Sequence, residues 1–226
     1  MNKLIRVCAV ISGISGFVVL SWVFFPILKY QIEAPKLMTF LSPIPDGDVL
    51  GATINNTTSD YTDAATWFPD AKTNSNFTNS PVSFYKLSVP RLGIKDAVVS
   101  IGGEDLSKSL IQYPGTALPG QIGNAVIFGH SVLPAFYNPT NYLTIFSTVP
   151  TLVKGDTMTV NYDGITYKYQ VEEKYEVQPT DISILNQDDS DSFLTLVTCV
   201  PPGLTTRRGI IKARIVPVGG NYVSGI

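Results

Sequence analysis

Three side-chain types in this sequence could together carry out acyl transfer: the thiol of Cys199, the imidazole of His130, and the guanidinium of Arg207 or Arg208. A thiolate attacks a carbonyl, an imidazole moves the protons, and a fixed cation holds the oxyanion of the tetrahedral intermediate. Cys199 closes the run Phe193-Leu-Thr-Leu-Val-Thr-Cys, whose Leu194, Leu196 and Val197 suit an interior strand. Pro201, Pro202 and Gly203 then force a turn. That turn brings the chain back, so an arginine eight or nine residues after Cys199 can return to its sulfur. The plainer reading is that Cys199 is a small packed apolar side chain, His130 a packed histidine, and the arginines edge-strand charges.

Composition narrows the alternatives. The 226 residues carry a formal net charge of −2 and only 15% charged residues, which argues against a broad nucleic-acid surface. The two cysteines, Cys8 and Cys199, lie in unlike contexts, so a disulfide between them is not expected. His130 is the only histidine, so a Cys/His zinc site lacks ligands.

The stretch from Val7 to Leu28 holds 22 residues without a formal charge, about 33 Å as a helix. Lys3 and Arg6 precede it, and Trp22, Phe24, Phe25 and Tyr30 crowd its far end. This predicts a single-pass anchor over residues 1–30 with the N-terminus cytoplasmic and the rest extracytoplasmic. A cleaved signal peptide is disfavoured by the length of the run and the poor cleavage site after it. Residues 31–80 are mostly small and polar and read as a linker. Trp67-Phe68 is the exception, an aromatic pair that wants an apolar surface to dock on.

From residue 81 onward the signals are those of strands. Tyr85, Leu87 and Val89 alternate with polar residues; Asp96–Ile101 and Asn124–Phe128 follow as further strands. A short helix is expected over Asp105–Gln112, and one or two helical turns over Asn141–Val149. Asp163-Gly164 between two alternating runs predicts a type I′ hairpin pairing Tyr162 with Ile165, Val160 with Tyr167 and Met158 with Tyr169. Thr180–Asp191 is a polar connection, and Ile211, Ala213 and Ile215 alternate in a last strand. Many short strands with one or two short helices give an all-β domain, a closed or nearly closed barrel.

Thr195-Leu-Val-Thr-Cys199 resembles the Thr-Leu-x-Thr-Cys signature of sortases, the membrane-anchored cysteine transpeptidases of Gram-positive-type cell surfaces. Leu87-Ser-Val-Pro-Arg-Leu-Gly-Ile94 is similar to their opening strand, and Ala125-Val-Ile-Phe-Gly-His130 to their catalytic-histidine segment. The resemblance implies an eight-stranded sortase-type β-barrel over residues 81–226. It implies that Cys199 attacks the Thr–Gly carbonyl of a C-terminal Leu-Pro-x-Thr-Gly-like sorting signal and forms a thioacyl enzyme. His130 would serve as acid and base, and Arg208 as the oxyanion or substrate holder. Arg207 is the runner-up, because neighbouring strand residues point to opposite faces and one alone can face the thiol.

The partners implied are surface proteins bearing that signal, an amine of peptidoglycan or of a pilin, and membrane lipid around the N-terminal helix; nucleic acid is not expected. No cofactor is expected. Calcium binding occurs in the family, but no acidic cluster here predicts a site. Pilin-type sortases carry an N-terminal lid that places an aromatic in the active site, a role open to Trp67-Phe68, although docked linker aromatics explain the pair as well. The short Cys199–Arg208 connection is unlike the housekeeping class, and the second, C-terminal membrane helix usual in pilin sortases is not seen, so the subclass stays open. An L,D-transpeptidase would need a Ser/Thr-x-Gly-Cys pattern, which Val197-Thr198-Cys199 does not provide. The non-catalytic alternative is a membrane-tethered β-domain that binds a surface glycan or protein.

Overall fold

The structure is a computed structural model that describes residues 3–37, 67 and 82–217. The chain divides into two units, Met1–Leu37 and Met38–Ile226. The first contains helix α1, Lys3–Leu37, which continues past the expected anchor boundary at 30. The apolar side chains described in it are exposed, Phe17 and Trp22 among them. Cys8–Phe25 is long and apolar enough to cross a membrane, which fits a single-pass anchor.

In the second unit, eight strands form one closed barrel. In chain order they are β1 (Phe84–Val89), β2 (Ile94–Ile101), β3 (Leu110–Gln112), β4 (Gly123–Phe128), β5 (Thr157–Tyr162), β6 (Ile165–Val177), β7 (Ser192–Val200) and β8 (Arg207–Ile215). Around the barrel they run β1-β2-β3-β4-β7-β8-β6-β5, and β5 pairs back onto β1. The β2–β3 and β4–β7 pairs are parallel and the others antiparallel. Closure leaves no unpaired sheet edge.

The Asp163-Gly164 hairpin forms with all three expected pairs. Both turn residues have positive φ, 49° at Asp163 and 75° at Gly164, as a type I′ turn requires. The expected helix over 105–112 is absent. Asp105 instead accepts from the Ser107 N–H and hydroxyl, an Asx-type turn, and the chain then enters β3. The 141–149 segment is a run of turns ending in a single 3₁₀ turn, Val149–Thr151.

The period of two along each strand divides the core. Ala125, Ile127, Leu194, Leu196, Ile211 and Ala213 pack inside the barrel with Leu87, Val160 and Tyr169. The residues between them, Val126, Phe128, Val197, Cys199 and Ile210, join a second apolar cluster with Trp67, Leu106, Tyr113 and Ile184. Strands β4 and β7 are therefore buried along their whole length, which is why β7 reads as a near-continuous apolar run.

Candidate active site

Parallel pairing puts the ends of β4 and β7 at the same rim, and β8 starts there because it runs antiparallel to β7. His130 follows β4, Cys199 lies near the end of β7, and Arg208 lies near the start of β8. Cys199 and Arg208 are directly paired in the ladder, so their side chains share a face. Arg208 Nη1 donates to Cys199 Sγ at 3.6 Å and to the Thr205 carbonyl at 3.1 Å. Arg208 is 1% exposed. Arg207, on the other face, is exposed and reaches Glu176 at 3.4 Å. The strand phase thus brings Arg208, and not Arg207, to the thiol.

His130 sits where the chain leaves the sheet. Gly129 N donates to the Val197 carbonyl at 3.1 Å, and Phe146 N donates to the His130 carbonyl at 2.9 Å. Gly129 is required by close approach: a Cβ there would lie 2.4 Å from a Phe146 ring carbon and 2.7 Å from Leu110 Cδ2. Side chains tie the same segments together. Thr198 Oγ1 donates to the Gly129 carbonyl at 3.0 Å, and Ser131 Oγ donates to the Cys199 carbonyl at 2.8 Å.

Trp67 is fully buried over this rim. Its indole stacks on Phe128 with 5.3 Å between ring centroids and meets the His130 ring edge-on at 6.1 Å. The Arg208 guanidinium carbon lies 5.0 Å from the Trp67 ring centroid, and Arg208 Nη2 donates to the Trp67 carbonyl at 3.3 Å. Trp67 therefore touches two of the three side chains singled out in the sequence and shares a packed cluster with the third. Phe68 lies outside the described residues.

Electrostatically, the thiol is held in its neutral form. Burial pushes the Cys199 pKa up, and the adjacent Arg208 cation pulls it down by less. The site as arranged contains a protonated thiol, a buried guanidinium beside it and an imidazole on the adjoining segment. Trp67 covers this set of side chains, whose types are those of a nucleophile, a proton carrier and an anion holder. Among the described residues, no cluster of His, Cys, Asp and Glu is arranged to hold a metal ion. The sequence reading singled out Cys199, His130 and Arg208 but gave no role to Ser131, Thr198 or Thr205; the hydroxyls of Ser131 and Thr198 were the available signal, whereas Thr205 contributes a backbone carbonyl that no side-chain type marks.

The sequence profile of the Sortase domain matches residues 87–216, more than half of the chain. The chain belongs to the sortase family, and its β-barrel domain is a cysteine transpeptidase of that family. Similar solved structures include a sortase D5 transpeptidase of Clostridium perfringens, at 25% identity and TM-score 0.51, covering 60% of this chain and 79% of that one. A lid mutant of sortase A from Corynebacterium diphtheriae matches at 26% identity and TM-score 0.53, covering 64% and 76%. Sortase C-1 of Actinomyces oris matches at 26% and 0.51, covering 62% and 77%. No curated protein sequence matches the chain.

Proposed function

We propose that this sortase cleaves a C-terminal sorting signal of the Leu-Pro-x-Thr-Gly kind and passes the surface protein to an amine of the cell wall or of a pilin. Cys199 passes its thiol proton to His130 and attacks the Thr–Gly carbonyl; the carbon–nitrogen bond breaks as His130 hands that proton to the departing amine. The resulting thioester is opened by the incoming amine, whose proton passes through His130 to the departing Cys199 thiolate and restores the thiol. Arg208 carries the negative charge that develops on the carbonyl oxygen in both steps. The observation that supports this reading most is the Arg208 Nη1–Cys199 Sγ contact of 3.6 Å beside the His130 segment.

We infer further that Trp67 closes the site as a lid. Its ring covers Arg208 and Phe128 where a substrate peptide must lie, so the 31–80 segment has to release it before catalysis. Lids have been altered by mutation in sortase A of Corynebacterium diphtheriae, which is similar to this chain. Helix α1 holds the domain at the membrane, with the N-terminus on the cytoplasmic side and the barrel outside. Lys3 and Arg6 before the apolar run support that orientation.

The test is ligation by the full chain in detergent, with a panel of Leu-Pro-x-Thr-Gly-like peptides and a glycine amine. A ligated product that disappears in Cys199→Ala establishes the reaction and names the preferred signal. A native chain that yields neither ligation nor hydrolysis of any peptide, and stays inert after Trp67→Ala, contradicts it and favours the surface-binding alternative.

A further inference from the structure

The parallel β4–β7 ladder stops one rung short of what its register would allow. Rungs between parallel strands advance two residues on each strand. Gly129 N bonds the Val197 carbonyl, so the next rung would run from the backbone N–H of residue 131 to the carbonyl of Cys199. That carbonyl instead accepts from the Ser131 hydroxyl at 2.8 Å. Beyond Ser131 the chain has left the sheet, since Val132 N bonds Ser147 Oγ at 2.9 Å and the 3₁₀ turn Pro134–Phe136 follows.

We propose that Ser131 is a positioning residue for the transpeptidation, in which its hydroxyl replaces a backbone rung. The substitution lets the chain turn outward at His130 while the residue after His130 stays fastened to Cys199. On the other side, the residue before His130 is fastened to the residue before Cys199 through the Thr198 hydroxyl. His130 is thereby bracketed, and its distance to the thiol is set by two hydroxyls. The bond is sheltered: Ser131 is 8% exposed and Cys199 4% exposed, so water is a poor substitute for the missing donor. Both hydroxyls donate to backbone carbonyls, so the role is exerted through His130 and Cys199.

This rests on the transpeptidase reading above. The experiment is steady-state ligation by the full-length wild type, Ser131→Ala and Ser131→Thr, together with iodoacetamide labelling mapped to Cys199. Ser131→Ala lowers kcat by about 10–100-fold, the loss that a misplacement of about 1 Å produces, and leaves KM within about threefold. Ser131→Thr, which keeps the donor, restores most of kcat. Labelling of Cys199 stays within about threefold in both variants, because the Arg208 contact that tunes the thiol is untouched. A Ser131→Ala enzyme with wild-type kcat, a loss confined to KM, a failure of Thr to rescue, or a parallel collapse of thiol labelling each overturns the positioning role. A wild type without turnover overturns the transpeptidase reading, and this inference with it.

Discussion

Removing the Trp67 ring is the perturbation whose size the structure lets one work out. The ring makes a desolvated cation–π contact with Arg208, a stacked contact with Phe128 and an edge contact with His130, and it is fully buried. These contribute about 2 kcal/mol for the cation–π pair and about 1 kcal/mol for the stack. Burial of the rest of the indole adds about 2 kcal/mol. Ordering backbone costs about 1–2 kcal/mol per residue fixed, which offsets half or more of that sum. A net docking energy near 2 kcal/mol leaves the site uncovered about one part in thirty. Trp67→Ala should therefore raise the second-order rate of Cys199 alkylation by about 10–50-fold, since labelling follows the open population when opening is fast. Iodoacetamide on the full chain in detergent, with peptide mapping to separate Cys199 from Cys8, reads the rate. An unchanged rate, within about twofold in a folded Trp67→Ala chain, would refute the argument that Trp67 governs access.

Other expectations follow from the same geometry. Because burial raises the Cys199 pKa, its labelling rate should climb about tenfold per pH unit through neutrality and level off above the ordinary thiol value of about 8.5. Arg208→Gln, which removes the opposing cation, should move that inflection higher, and Trp67→Ala, which reduces burial, should move it lower. Arg208→Lys keeps the charge but loses the fork that reaches Cys199 and the Thr205 and Trp67 carbonyls, so kcat/KM should fall about 10²–10³-fold, while Arg207→Ala should stay within about threefold. Lys174 is buried with its ammonium on the Pro150 and Leu152 carbonyls, at 3.1 and 3.0 Å. Lys174→Met should cost about 2–3 kcal/mol of stability by leaving both carbonyls unsatisfied, read as a shift in the urea midpoint. Gly164→Ala, at φ 75°, should lower stability by about 1 kcal/mol in the same titration without altering Cys199 labelling.

Local signals made some of this legible in the sequence and left the rest hidden. The β5–β6 hairpin was readable because the Asp-Gly turn and the alternation on both arms fix one register. Strand β7 was readable because burial on both faces writes an apolar run. Strand β3 was not: three residues carry no period, and its parallel pairing with β2 is a non-local fact. Asp105, which looks like a helix cap, spends its carboxylate on Ser107 and Lys108 instead. The choice between the two arginines needed the phase of β8, and the Cys199–Arg208 register supplies it. Trp67 stood out as an aromatic in a polar stretch, but the surface it seeks lies 141 residues away at Arg208, a separation no local pattern spans.

The most direct test of the account is to trap its covalent intermediate. The full chain is mixed with a sorting-signal peptide in the absence of any amine acceptor, quenched in acid within seconds, and measured by intact mass and fragment mapping. The expected result is an added mass equal to the acyl portion of the peptide up to its threonine, carried on Cys199, released by hydroxylamine, and absent from Cys199→Ala. Peptide cleavage with no adduct on Cys199, or cleavage that persists in Cys199→Ala, would contradict it.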